Sequence, residues 1–455
     1  MKRKMSRVLV IGLMAVSLFA ATAAALSLAD SPAGSLVGEY LKAFNSGDEK
    51  MMREFLQTNV APAALAQRPL ETRLTAMMSI FNDLRGLALQ QVTAITDSTT
   101  TIIARAQMGM FFELVFLHDH AQPPRLRSLS LMSVDEPLDP NLPPLSETQL
   151  LHAADSLLKE KTAAQEFSGV VLIARDFQPL YHQAFGLASI EYQVPNRPDT
   201  KFNLGSINKS FTRLAIEMLA AQGKLSLDDT IGTYLPDYPN AEARAKVTIR
   251  HLVEMSGGIG DFFGEAFDNS PKNRFRHNRD FIPLFANEAL QFEPGSRRAY
   301  SNGGYILLGA IVERASGQDY YEFVKTNIFG PAGMENSAWY EADVPVRDLA
   351  EGYTTEGSRD GSRRQNIYTR PARGSSAGGG YSTATDLLKY AQALASGKFG
   401  PPRNDLGVAG GAPGINAELD SGLSGGYTVI VLANYDPPAA EDVAQAIRNL
   451  VRRVR

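Results

Sequence analysis

Pro137, Pro140, Pro143 and Pro144 crowd the stretch "DEPLDPNLPPLSETQ". Each fixes its own φ and lacks an amide proton, so neither a helix nor an interior strand runs through this segment. A chain of 455 residues is also too long for one ordinary core. Residues 136–147 therefore read as a linker, between a small first domain at residues 30–135 and a larger second one at residues 148–455.

In the first domain, Leu36, Tyr40, Leu41 and Phe44, then Met51, Met52 and Phe55, recur at helical spacing. They predict two helices separated by "NSGD", with Asp48 capping the second. From Leu87 the pattern turns alternating and β-branched in "LALQQVTAI", "TTTIIARAQM", "MFFELVFLHD" and "LRSLSLMSV", which predicts a strand meander. Helices followed by a meander make a small α+β domain. With "YLKAFNSGD" as first helix and turn, it resembles the cone-shaped nuclear-transport-factor-2-like fold. His118 and His120 in "LHDH" share the parity of one strand face, the one pair here that raises metal ligation. Two imidazoles at a strand end without a third ligand are expected to be solvated, and no metal is expected.

The N-terminus places Lys2, Arg3, Lys4 and Arg7 before an apolar run from Val8 to Ala21 and a stretch of small residues. That is the layout of a secretory signal peptide over residues 1–25. The chain contains no cysteine, hence neither a disulfide framework nor a thiol for lipid attachment. A periplasmic or secreted protein is expected, with no integral membrane span after cleavage. The formal net charge is −4, and removing a leader with four bases and no acid leaves about −8, so nucleic acid is not an expected partner.

The second domain opens with Ser146 and Gln149 in a capping-box pattern ahead of the helical "LLHAADSLLKEK". Two strands follow in "SGVVLIARDFQPLYHQAFG". Then, in "KFNLGSINKSFTRLAIEMLAAQGKL", Phe211, Leu214, Ala215, Met218 and Leu219 mark a helix with Gly223 as its stop. Ser206 and Lys209 fall in its first turn, where residues three apart share a face. A lysine whose pKa is lowered by burial can take the proton of a neighbouring serine and leave a nucleophile. Alone, the pair equally describes a cap serine and a surface lysine.

Tyr300 and Asn302 in "YSNGGYILLG" stand two apart, so an extended segment turns a phenol and an amide into one cleft. Further on, "GVAGGAPGINAELD" sets glycines before strands expected at residues 415–419 and 427–434. Glycine allows a close backbone approach, and an amide there can donate to an oxyanion. By itself the run reads as a glycine-rich hairpin turn.

In this order the pieces resemble the serine β-lactamase and penicillin-binding-protein superfamily, in its class C-like, esterase branch, from about Leu150 to the C-terminus. "HLVEMSGGIGDF", "FEPGSRRAYSN", "IFGPAGMENS" and "GGGYSTATDLLKYAQAL" extend the resemblance. It implies an α+β domain: an antiparallel sheet with flanking helices plus a helical lobe. It also implies Ser206 as acylated nucleophile, Lys209 as its base or proton shuttle, Tyr300 as proton relay and Asn302 as substrate contact. The backbone amides of Ser206 and Gly411, beside Gly410, would form the oxyanion hole. Neither a metal nor an organic cofactor is implied.

Two features depart from that pattern. The third motif of the family begins with Lys or His, whereas Val408, Ala409 and Gly410 stand there, which argues against acidic β-lactams or D-Ala-terminated peptides as good substrates. The segment "GKFGPPRNDLGVA" also stands where family members have several tens of residues, including a strand leading into the third motif, so one sheet neighbour is expected to be missing. Other motifs carry less. "GSSAG" and "GLSGG" match the Gly-x-Ser-x-Gly elbow, but that chemistry needs a later histidine and the last one is His277, so both read as turns. Asn208 stands where a phosphate loop needs glycine; His251 reads as structural, and Asp228 and Asp229 as turn residues. The expected function is exported serine hydrolysis of a small-molecule ester, amide or peptide through a Ser206 acyl-enzyme, with ester or D-amino-acid-peptide hydrolysis expected ahead of β-lactam hydrolysis. The alternative is a pseudoenzyme that binds without turnover.

Overall fold

Alternation and helical periodicity decide which side of each element meets a core, and they do so separately in two parts of the chain. The computed structural model describes residue 28 and residues 31–107, 110–134, 136–137 and 141–455. The signal-peptide reading falls on residues outside these. The backbone divides into two compact units, Met1–Asp139 and Pro140–Arg455.

The first unit begins with α1 (Pro32–Asn45), capped by Ser31, and α2 (Glu49–Asn59), where the Asp48 carboxylate accepts from the amides of Lys50 at 2.7 Å and Met51 at 3.3 Å. Such a cap contributes about 1 kcal/mol. Two further helices, α3 (Pro62–Gln67) and α4 (Leu70–Leu84), precede the strands. The strands β1 (Leu87–Ile95), β2 (Thr99–Ala106), β3 (Phe111–His118) and β4 (Leu126–Val134) pair antiparallel in chain order. Ile102, Ala104, Phe112, Leu114 and Phe116 point inward against Leu36, Tyr40 and Phe44. His118 corrects the expectation of solvation: it continues the inward face of β3 and is buried, with Nε2 3.4 Å from Thr100 Oγ1, while His120 lies beyond the strand and is exposed. Among the described residues no group of three or more metal-ligating side chains gathers.

The second unit opens with α5 (Glu147–Ala163), whose capping box joins Ser146 and Gln149 by reciprocal bonds of 3.2 and 2.8 Å. The strands β5 (Gly169–Arg175) and β6 (Gln178–Phe185) form a hairpin, and α6 (Asn208–Ala221), α7 (Asn302–Ser316) and α8 (Ala384–Ala395) follow. The C-terminal part supplies β7 (Gly407–Ala412), β8 (Ile415–Leu423), β9 (Tyr427–Ala433) and α9 (Ala439–Val451). All five strands make one antiparallel sheet in the order β7-β8-β9-β5-β6.

Period-two alternation splits the sheet's side chains between two cores. Val171, Ile173, Val429 and Val431 meet α5 and α9 through Leu150, Leu158, Val443 and Ile447. Val170, Leu172, Ile430 and Leu432 instead meet α8 and share a core with its Leu387, Leu388 and Ala391 and with Phe211, Leu214 and Ala215 of α6. Full burial of each such side chain contributes about 1.5–3 kcal/mol. The helix α6, which carries Lys209, is thus held in the core on this side of the sheet, packed against α7.

The short segment before β7 does not cost the sheet this strand. Gly407 through Ala412 all pair with β8, and the link is tied down by Arg403 N donating to Leu394 O at 3.0 Å and Ser421 N to Leu406 O at 2.9 Å. The glycine-rich run is thus mostly strand, with the turn confined to Pro413 and Gly414. Both rival serine motifs are turns: Ser375 N donates to Gly378 O at 2.7 Å, and Gly425 takes a φ of 74°. Among the described residues no helix is long and apolar enough to cross a membrane.

Candidate active site

Ser206 stands in a tight 3-10 turn, Gly205–Ile207, just ahead of α6, rather than in the first turn of the helix itself. Gly205 makes that turn with φ +50°, and its amide donates to Asn203 Oδ1 at 3.0 Å. A β-carbon on Gly205 would lie 2.9 Å from the amide nitrogen of Gly411, so both the backbone angle and the space call for glycine.

Lys209 begins α6 one turn below and is buried. Its Nζ donates to Ala377 O at 2.6 Å and Asn302 Oδ1 at 2.7 Å, and lies 3.0 Å from Ser206 Oγ. The first two partners can only accept, so they hold two of the amine's N–H groups. The third tetrahedral position faces Ser206: a proton in the ammonium, a lone pair in the neutral amine. Burial lowers the Lys209 pKa from 10.5 to about 7, against the charge of Asp261, which raises it. Near neutral pH the neutral amine is then within reach and can accept a proton.

Tyr300 arrives on the loop before α7, and its hydroxyl is 2.5 Å from Ser206 Oγ. Loss of water around that hydroxyl pushes the phenol up, the Ser206 hydrogen bond pulls it down, and Asp261 adds a smaller push upward. The net shift is upward, so Tyr300 is a proton donor and Lys209 is the better base. Asn302, the first residue of α7, is buried and gives Nδ2 to Asp261 Oδ2 at 2.8 Å. That bond sets the amide's orientation and turns its oxygen toward Lys209. Asn302 thus contacts lysine and lines the cleft, both at once.

The strand β7 passes directly behind the serine turn. A β-carbon on Gly410 would sit 2.0 Å from Leu204 O and 2.7 Å from Ser206 N, which excludes any side chain. The carbonyl of Gly410 accepts from Asn416 Nδ2 at 3.3 Å, and Asn416 Oδ1 accepts from the amides of Ala440 at 2.6 Å and Glu441 at 3.3 Å, at the start of α9. The Gly410 carbonyl and the Gly411 amide belong to one trans peptide, so holding the oxygen toward β8 aims the N–H the other way, to Ser206.

The structure thus brings Ser206, Lys209, Tyr300, Asn302, Gly410 and Gly411 into one place. Val408 lies nearby, on a groove of about 630 Å³ that it shares with Lys209 and Tyr300. A narrower cleft of about 90 Å³ opens on the other side of Ser206, past Gly411 and Phe263. Sequence reasoning missed Asp261, Ala377 and Asn416. Asp261 stands in "SGGIGDF", where an acid closing a glycine-rich apolar stretch was the available signal. Ala377 acts through its carbonyl, which no residue type announces.

Residues 154–450 match the family model described as Beta-lactamase. Esterase EstB of Burkholderia gladioli is 30% identical over 340 residues, covering 68% of this chain and 86% of that protein. Penicillin-binding protein 4* of Bacillus subtilis (strain 168) is 39% identical over 177 residues, 38% of each chain, so the match spans well under half of that relative. Among solved structures, a penicillin binding protein from Bacillus halodurans superimposes with a TM-score of 0.58 at 30% identity, over 66% of this chain and 99% of its own. A serine, a buried lysine and a tyrosine meet at the edge of a five-stranded sheet, and the family match spans those same elements: the chain belongs to the β-lactamase family of serine hydrolases.

Proposed function

We propose that the protein hydrolyses an ester or amide through an acyl-enzyme on Ser206. The observation that carries this is the buried Lys209 amine, 3.0 Å from Ser206 Oγ with its pKa brought down to about 7. Neutral Lys209 takes the hydroxyl proton as Oγ bonds to the substrate carbonyl carbon. The amides of Ser206 and Gly411 receive the oxyanion. As the carbonyl re-forms, the bond to the leaving oxygen or nitrogen breaks, and Tyr300 supplies that atom's proton, replenished from Lys209. Water repeats the sequence to free the acid and Ser206.

Incubation with a fluorophosphonate or a fluorescent penicillin tests this, with the modified residue identified by mass spectrometry. Labelling at Ser206, lost in Ser206→Ala together with on the order of 10⁴-fold in kcat, is expected. A folded sample that neither probe labels would instead support a binding module, the reading that Val408 favours. Export is part of the proposal and rests on the basic, apolar, small-residue order of residues 1–25. The nuclear-transport-factor-2-like assignment of the first unit rests on its helices followed by a four-stranded meander.

A further inference from the structure

Arg370 lines the narrow cleft together with Ser206 and Gly411, and no aspartate or glutamate lines it. The side chain is half-buried. Among the described residues nothing pairs with its guanidinium: no carboxylate, no carbonyl and no aromatic ring. The contrast is Arg373, three residues on, whose Nε donates to Trp339 O at 3.1 Å while its guanidinium covers the Tyr321 ring at 3.6 Å.

The backbone carrying Arg370 is held from both directions. Before it, Asn366 is buried and donates Nδ2 to Pro413 O at 2.8 Å, two residues beyond Gly411, and Arg370 N donates to Asn366 O at 3.2 Å. After it, the amides of Ala372 and Arg373 donate to Lys272 O and Phe275 O at 3.0 and 3.1 Å. A cation on a fixed segment at the cleft wall, with its hydrogen-bonding fork unused by the protein, is placed to take an anionic group of a ligand.

The chemistry of the site says which half of the substrate meets it. Tyr300, placed to give a proton to the leaving group, lines the wide groove and not the narrow cleft. The leaving group therefore departs through the groove, and the acyl group occupies the cleft. Resting on the acyl-enzyme reading, we infer that the protein prefers acyl groups that end in a carboxylate, half-esters or half-amides of dicarboxylic acids, with Arg370 binding the free acid through its fork. The missing cation at Val408 belongs to the leaving-group side and leaves this preference untouched.

The test compares three p-nitrophenyl esters with six-carbon acyl groups: hexanoate, the adipate half-ester and 6-aminohexanoate. For the full-length protein, kcat/KM for the adipate half-ester should exceed that for hexanoate by about tenfold or more. Arg370→Met should bring that ratio to about one, and Arg370→Glu should favour 6-aminohexanoate over adipate, an inversion that general damage to the site does not produce. Ser206-dependent hydrolysis with no adipate preference, or with a preference that survives Arg370→Met, overturns the inference and leaves the acyl-enzyme reading standing. No hydrolysis of any of the three, with no labelling of Ser206, overturns both.

Discussion

Asp261 sets the working pH of Lys209 without touching it. Its carboxylate holds Asn302, and its charge favours the ammonium, opposing the burial that favours the neutral amine. Because the base must be neutral to act, kcat/KM should rise with pH through an acid limb near 7. Asp261→Asn removes the charge, lets burial act unopposed and should move that limb to lower pH; a limb that stays put or moves up sinks the assignment. Lys209→Met should lose on the order of 10³-fold in kcat, within the range for a general base. Stability carries the same sign. The unfolded lysine titrates near 10.5 and the folded one near 7, so between those values the unfolded chain binds more protons and folding gains with rising pH. Ser206 and Lys209 were legible because their spacing is local and their helix is periodic. Asp261 and Ala377 were not, since they reach Lys209 from 52 and 168 residues away through the packing of the unit.

At the scale of elements, the edge strand β7 has to present one amide to a serine it does not share a helix or loop with. Its own ladder to β8 aligns the strand, and Asn416 adds a second hold that runs from the Gly410 carbonyl to the first amides of α9. The two ends of Asn416 can be separated. Asn416→Asp keeps an acceptor for Ala440 and Glu441 but loses the donor to Gly410, so kcat should fall about tenfold with KM little changed, a fraction of the loss on deleting an oxyanion donor outright. Asn416→Leu also uncaps α9, at a cost of about 1 kcal/mol in stability. Equal losses of kcat in the two variants, tracking their Tm values, would reduce Asn416 to a structural role. The same strand shows where pattern reading fails. Glycines in sequence signal turns, yet Gly410 is glycine because Leu204 leaves no room for a β-carbon, a constraint made by tertiary approach. The strands of the first unit were legible by alternation, whereas α3 and α4, broken by Pro62 and Pro69 and only partly buried, were not read at all.

For the whole molecule, the question is how much of the chain the chemistry needs. The second unit closes on itself at its N-terminal edge: Leu145 N donates to Arg453 O at 2.8 Å, Arg455 N to Leu145 O at 3.3 Å, and the Ser146 capping box starts the helix that covers one face of the sheet. Each unit also has its own buried apolar core, one built on Tyr40 and Phe116, the other on the sheet and α6. A chain beginning at Asn141 keeps every one of these closing contacts. It should therefore fold and hydrolyse p-nitrophenyl hexanoate with kcat/KM within about twofold of the full chain, since Ser206, Lys209, Tyr300, Asn302 and Gly411 all lie in the second unit. A chain beginning at Gln149 loses Leu145 and the cap together. It should unfold at a lower temperature by a few degrees, on the scale of about 2 °C for each kcal/mol lost in a unit of this size. If the Asn141 chain folds, shows the same circular dichroism as expected for its sheet and helices, and yet turns over the ester tenfold more slowly, then the first unit takes part in catalysis.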